Sequence, residues 1–501
     1  MPKRTLPTHA LPMRLDQRLS EPLYRQLYER LHDDILAGKL EPGARLPSTR
    51  TLASELGVSR NTTALAYQLL VLEGYIEGRV GDGTRVAHMR PSRDASTGAE
   101  TPTEPRAQSP AAPSRRAQTL MMMPHPGARP ERMPDTLAQT FRLGQPDTTL
   151  FPYETWARLA ARHARHTLPR VALYQHVEAQ GYRPLREAIA ARLGITRGVR
   201  CTARQIILTS GSQGALDLVG RVLLDPGDAA WVEDPGYLGA RGALLASEAH
   251  LVPVPVDAEG LNVAAGHALS PRARLAVVTP SHQFPTGVTM SLRRRLALLE
   301  WARAASAWIA EDDYDSEFRY SGRPLEALQG MDTTGHVVYV GTFSKVLFPS
   351  LRLGYLVVPP ALVDSFVATR GFIDTHLPLL DQLVLADFIG EGHYVRHVRA
   401  MRQVYLERRN TLTDALSTEL GDMLTVTAPE AGLHLAAWLP PGMSATGAAR
   451  RIAAHGEEVT PIVQRGSGVF KRDGLMLGFA AAGPERIRLG VRAIARALRA
   501  S

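Results

Sequence analysis

The run RPSRDASTGAETPTEPRAQSPAAPSRRAQ, within residues 89–135, is made of Pro, Ala, Ser, Arg and other small or polar residues and has almost no large apolar side chain. A segment of this composition cannot bury enough surface to offset the entropy lost on ordering it. It therefore forbids one core running through the whole chain. Two bodies are expected, residues 15–88 and residues 136–501, with 89–135 as a disordered or extended linker. Partly stiffened by proline, such a linker spans tens of ångströms.

The 501 residues are 44% apolar, enough for two ordinary cores. One cysteine, Cys201, excludes a disulfide framework and fits a reducing compartment. The first residues carry charge but no signal-like apolar run, and no stretch approaches the roughly 18 apolar residues of a membrane span. A cytoplasmic protein without a membrane partner is expected. The net charge of +9 invites a nucleic-acid reading, but residues 1–88 hold 12 Lys and Arg against 10 Asp and Glu. The case for DNA must come from pattern.

In the first body Leu23, Leu27, Leu31 and Ile35 have helical spacing, and Gly38 ends the helix. Ser48 caps a short second helix that Gly57 stops, and Ser59 caps a third that Gly74 closes. Two short strands follow around Gly81-Asp82-Gly83. Two helices across a tight glycine turn, then a hairpin, make a winged helix-turn-helix, whose second helix enters the major groove of double-stranded DNA. Its leading residues are Ser59, Arg60, Asn61, Thr62 and Thr63; Arg60 suits guanine and Asn61 adenine. Leu65, Leu69 and Leu72 are expected to pack the helix down. Arg45, Ser48 and Arg50 sit where phosphates would be held, and Arg79 and Arg85 flank the wing turn. The rival reading is a helical interaction domain with solvated arginines.

The second body is α/β. Strand-like runs (QIILTS, AAWVEDPG, RLAVVTP, AWIAEDDYD, VVYVGTFSK) alternate with helical ones (GALDLVGRVLL, SLRRRLALLEWARAA). That order predicts a mostly parallel sheet with helices on both faces and ligands beyond the strands' carboxyl ends. Gly341-Thr342-Phe343-Ser344-Lys345 puts an amine just past a strand, where it can bond an aldehyde cofactor. Thr342, Ser344 and Arg352 offer donors and charge to a phosphate. Asp312, ending another strand, can face a ring nitrogen that must stay protonated, and Tyr314 can bond a ring hydroxyl. Glu311, Asp312, Asp313 and Asp315 also permit a magnesium reading, but no calcium-loop spacing accompanies them, and no metal is expected. Thr209-Ser210-Gly211-Ser212-Gln213 is a strand-to-helix turn whose N–H groups suit an anion. Tyr237, after Glu233-Asp234-Pro235-Gly236, can lie over the cofactor ring.

These segments resemble known families. PLYRQLYERLHDDILAGKLEPGARLPS through LASELGVSR, LVLEGY and GDGTRV is similar to a GntR-family head. The second body resembles fold-type I aminotransferases over nearly its full length. TPSHQFPTG, EDDYDSEFRY and the run from GTFSK to PSLRLGY resemble the MocR/GabR-type regulators. The resemblance implies a smaller C-terminal α+β subdomain and pyridoxal 5'-phosphate held as a Schiff base on Lys345. It implies Asp312 at the pyridine nitrogen, Tyr314 at the ring hydroxyl, and Ser212, Gln213, Thr342, Ser344 and Arg352 around the phosphate. It also implies a head-to-tail homodimer in which Tyr174 is lent to the neighbouring site. Two departures stand out. Phe284-Pro285-Thr286-Gly287 replaces the aminotransferase Asn-Pro-x-Gly, leaving His282 or Gln283 to replace the asparagine. Met476 stands where many aminotransferases hold an arginine for the substrate carboxylate; Arg465 and Arg472 are candidates to substitute, the alternative being a ligand that needs none.

The expectation is a transcription regulator that senses an amine or amino-acid effector, or pyridoxal phosphate itself. Efficient transamination is not expected, although a slow half-reaction is compatible with the site. The alternatives are a working aminotransferase with a DNA-binding appendage and a degenerate domain that only dimerises.

Overall fold

Leu27, Leu31 and Ile35 fall on one face of helix α1 (Leu23–Leu36) and are buried there, and Gly38, at φ +70°, turns the chain away. The structure, a computed structural model, describes residues 15, 16, 18, 19, 21–79, 83–88, 112–123, 140–171, 178–322, 326–462 and 473–500. The chain divides into two units, 1–111 and 112–501.

In the first unit Ser48 accepts the Thr51 N–H at 3.1 Å and starts α2 (Thr49–Leu56), which Gly57 ends in the left-handed conformation. Ser59 caps α3 (Arg60–Leu72) through the Thr62 N–H at 3.1 Å. Strands β1 (Ile76–Arg79) and β2 (Gly83–Val86) pair antiparallel, with Ile76 opposite Val86. Both residues close a core that holds Leu27, Leu31, Leu52 and Leu70. Each fully buried leucine contributes about 1.5–3 kcal/mol.

The packing face of α3 differs from the expected one. Leu65 is 47% and Leu72 82% exposed, whereas Thr63, Ala66, Tyr67 and Leu70 are buried. Small Ala66 permits close approach to α1, while the hydroxyls of Thr63 and Tyr67 donate to Thr49 O (2.8 Å) and Pro47 O (2.9 Å). Hydrogen bonds and size, rather than apolarity, choose this face.

In the second unit the stretch read as linker contains a helix, α4 (Arg115–Met121), which Ser114 caps. An eight-stranded sheet follows in the order β3-β10-β9-β8-β7-β4-β5-β6. Its strands are β3 (Ile206–Thr209), β4 (Ala229–Asp234), β5 (His250–Asp257), β6 (Gly260–Leu261), β7 (Leu275–Val278), β8 (Trp308–Asp313), β9 (Val337–Thr342) and β10 (Gly354–Val357). β10 and the short β6 run against the other six. Alternation divides the sheet's two faces. Val338, Val340 and Leu356 join the core under α5 (Gly211–Leu223) and α6 (Leu238–Ala246). Ile309 and Val337 join the core that α7 (Leu292–Ala305) supplies with Leu298, Trp301 and Ala302. The helix α4 packs on α6, with Arg116 3.4 Å from Glu248. Small Ala and Thr leave α4 no core of its own, so it forms against a neighbour, and the linker is not extended throughout.

The C-terminal part is the smaller α+β piece. An antiparallel sheet, β11 (Thr425–Val426), β12 (His434–Trp438), β13 (Thr460–Ile462) and β14 (Gly474–Gly478), runs in the order β11-β12-β14-β13. It is packed with α8 (His393–Leu420), α9 (Ala445–Ala454) and α10 (Pro484–Arg499). Among the described residues no helix is long and apolar enough to cross a membrane.

Candidate functional site

At the start of α3, Arg60 and Asn61 are exposed and Thr62 half-exposed, as a groove-reading end requires. Arg45 and Arg50 are also exposed. Thr63 is not available to DNA, because it is 0% exposed and its hydroxyl is spent on Thr49 O and Arg60 O. Ser48 and Ser59 remain at the surface, but their oxygens cap helices. Arg85 is partly engaged, donating to Gly43 O at 2.9 Å. The side chain of Arg79 and the wing turn at 80–82 lie outside the described residues, as do Tyr174, Arg465 and Arg472.

The second site lies where the strands β3, β4, β7, β8 and β9 end. On β8 the pleat sends Glu311 and Asp313 to one face and Asp312 to the other. Glu311 accepts the N–H groups of Leu328 (2.8 Å) and Gln329 (2.9 Å). Asp313 accepts from Arg197 (2.8 Å), Ser316 (2.8 Å) and Tyr339 (2.5 Å). These hydrogen bonds tie Glu311 and Asp313 into the scaffold. Asp312 is 5% exposed, and its Oδ1 has no partner. Burial, then Asp313, Glu233 and Asp315, push its carboxyl up to about 7, with Lys345 pulling the other way. A buried carboxylate in this state calls for a cation.

Lys345 follows β9, and its Nζ donates to the Gly144 carbonyl at 2.9 Å. Burial lowers its pKa, favouring the neutral, nucleophilic amine, while Asp315 and Asp312 oppose that shift. A Cβ on Gly144 would sit 2.4 Å from Nζ, so a side chain there would push the amine aside, and the φ of +59° would strain it. The register of β10, with Gly354 opposite both Thr209 and Thr342, draws together the ends of β3 and β9 and the segment before β10. Arg352, at φ +52°, donates to Ser210 O at 2.8 Å and lies against Gly211 at the start of α5. Thr342 Oγ1 accepts the Ser344 N–H at 3.2 Å, and Ser344 Oγ is buried without a partner. Ser212 lies in the first turn of α5. The Gln213 side chain donates to Gly239 O at 2.9 Å.

Tyr237 immediately precedes α6 and meets Phe284 edge-on at 5.8 Å. The hydroxyl of Tyr314 donates to His282 O at 3.0 Å and lies 3.1 Å from His282 Nδ1, which is 3.0 Å from Asp315 Oδ2. Of the two candidates for the missing asparagine, Gln283 is committed elsewhere, to Glu233 (3.1 Å) and Pro235 O (3.0 Å). His282 is the one beside Tyr314. His434, on β12, completes a buried group with His282 and Asp315 whose ligand-type atoms lie within 4.8 Å of one another. Gly144 and His434 were missed in the sequence, since they lie far from the lysine motif along the chain and gave no local signal; Asp315 was noted there only as a possible magnesium ligand.

A mostly parallel sheet with a lysine, an unpartnered aspartate and an anion-binding turn at its strand ends defines the pyridoxal phosphate-dependent transferase class of fold type I. Residues 141–493 match the family Aminotransferase class I and II, and residues 23–86 match Bacterial regulatory proteins, gntR family. The chain is 41% identical over 480 residues to the probable rhizopine catabolism regulatory protein MocR of Rhizobium meliloti, covering 96% of this chain and 94% of that one. It is 35% identical over 501 residues to the HTH-type transcriptional regulator TauR of Rhodobacter capsulatus, with 95% and 96% covered. Among solved structures it is similar to LysN, the alpha-aminoadipate aminotransferase of Thermus thermophilus complexed with N-(5'-phosphopyridoxyl)-L-leucine. That similarity has a TM-score of 0.66 at 30% identity and covers 77% of this chain and 95% of that one. The chain belongs to the MocR/GabR-type subfamily of GntR-family transcription regulators. Its cofactor is pyridoxal 5'-phosphate. The residues fit that group: Asp312 Oδ1 and Ser344 Oγ are buried polar atoms awaiting partners, and a guanidinium stands at the helix turn.

Proposed function

We propose that this regulator binds promoter DNA through Arg60, Asn61 and Thr62 at the tip of α3, and senses an amine at the Lys345 site. Arg45, Arg50, Arg79 and Arg85, with the Ser48 and Ser59 helix starts, position the head on the phosphate backbone. When bound, pyridoxal phosphate supplies an aldehyde that captures amines and a ring that takes up electron density. Lys345 would hold it covalently, Asp312 would keep the ring nitrogen protonated, and Tyr237 would lie over the ring. Thr342, Ser344, Arg352, Ser212 and the Gln213 N–H would hold the phosphate. Tyr314, backed by His282 and Asp315, would bond the ring hydroxyl. The observation that carries this reading is the unpartnered Asp312 Oδ1 in a site that also holds Lys345.

The chain works as a head-to-tail homodimer on two DNA half-sites, with Tyr174 completing the neighbour's pocket. The effector acts by binding one arrangement of the dimer better than the other. Loss of the asparagine at Phe284 and of an arginine at Met476 favours sensing over efficient turnover. The test is footprinting on the chain's own promoter with the loaded protein, with and without an amine panel. An amine-dependent change in protection that is lost in Lys345→Ala supports the proposal. Brisk multiple-turnover transamination with no amine effect on DNA would replace it with the enzyme reading.

A further inference from the structure

Met476 points into an apolar cluster rather than toward a charge. It is 5% exposed and packs with Ala436, Ile462, Leu143, Phe284 and Trp438. Two links place this wall at the site. Leu143 is followed by Gly144, whose carbonyl receives the Lys345 amine at 2.9 Å. Phe284 meets Tyr237 at 5.8 Å and Tyr314 at 6.3 Å between ring centroids. The wall therefore adjoins the amine-capturing lysine on one side and the ring-contacting tyrosines on the other. A titratable neighbour of this wall, His434, meets Phe284 at 5.6 Å between ring centroids, and burial, then His282, hold it well below its ordinary pKa, as a neutral ring. Arg352 is held at the phosphate end by Ser210 O.

From this geometry, and resting on the reading of Lys345 as the cofactor lysine, we infer that the effector is an amine without an α-carboxylate. Its non-amine part is apolar or uncharged and lies against Met476 and Phe284. A carboxylate placed there would lose its water and gain no cation from the described side chains of the wall, an unfavourable exchange. An uncharged carbon chain in the same place gains apolar burial.

The experiment follows the visible absorbance of the cofactor-loaded protein during titration with matched pairs: ethylamine and L-alanine, isopentylamine and L-leucine, ethanolamine and L-serine. Each amine is expected to perturb the band at a concentration about tenfold or more below that of its parent amino acid. Met476→Arg is expected to reverse the order, while Met476→Ala, which keeps the wall uncharged, retains it; circular dichroism verifies both folds. Amino acids that bind as tightly as the amines, or tighter, overturn the inference. Loss of that amino-acid affinity in Arg142→Ala, Arg465→Ala or Arg472→Ala would then name the clamp. A band that responds to neither series also overturns it. A protein with no band before any titration would instead refute the cofactor reading, which keeps the two failures apart.

Discussion

The head and the large unit prepare for their ligands in opposite ways. In the head the groups we propose to meet DNA are those left over at the surface after folding: Arg60, Asn61 and Arg50 are exposed, while their neighbours Ser48, Ser59 and Thr63 are spent on caps and packing. In the large unit they are left over in the interior: Asp312 Oδ1 and Ser344 Oγ are buried without partners. A large polyanion can come to exposed side chains at no folding cost. A small cofactor must be met by groups already desolvated, which burdens the empty protein and is relieved on binding.

The sharpest way to break this contrast is at Lys345. Lys345→Ala should abolish the visible band completely while circular dichroism and DNA affinity persist; loss of DNA binding would mean the units are not separable in this way. Next in size is Asp312→Asn. Removing one member of a buried charge pair should weaken cofactor binding by roughly 2–5 kcal/mol, measured by equilibrium titration. The same residue predicts a pH dependence. Its carboxyl is pushed up to about 7 from an ordinary value of 3.8, so without cofactor it keeps a proton that the unfolded chain has lost. Its contribution to the stability of the cofactor-free protein therefore falls as pH rises through that window. A cation at the ring nitrogen cancels this penalty. The thermal stabilisation given by cofactor should accordingly grow between about pH 4 and 7 and level off above, and Asp312→Asn should flatten the slope.

Smaller effects are expected in the head. Arg60→Ala should cost about 1–3 kcal/mol of specific DNA binding in gel shifts, with little change in melting temperature. Ser59→Ala should do the reverse, lowering the head's stability by about 1 kcal/mol through the lost cap while leaving sequence preference unchanged. If Ser59→Ala altered preference instead, the division between surface readers and spent residues would fail at that position.

Local chemistry was legible in the chain. Ser48, Ser59, Gly38, Gly57 and Gly74 mark helix ends because capping is decided by one side chain and its nearest amides. The places of Asp312 and Lys345 at strand ends could be read because the apolar runs before them mark the strands. What was not legible depended on shape or distance. The buried face of α3 was misassigned to Leu65, Leu69 and Leu72 because apolarity does not reveal that Ala66 allows a close crossing or that Thr63 and Tyr67 find carbonyl partners. The helix α4 was hidden by a linker-like composition, since its stability comes from α6. Gly144 and His434 reach the site from distant segments, and only the folded chain decides between His282 and Gln283.

The central claim is that one particular amine carries the cofactor. Borohydride reduction of the purified protein, followed by proteolysis and mass spectrometry, tests it directly. The account predicts a pyridoxyl-phosphate mass increment on the peptide containing Thr342, Phe343, Ser344 and Lys345, borne by Lys345. An unmodified Lys345 in protein saturated with pyridoxal phosphate, or the increment on another lysine, would contradict it.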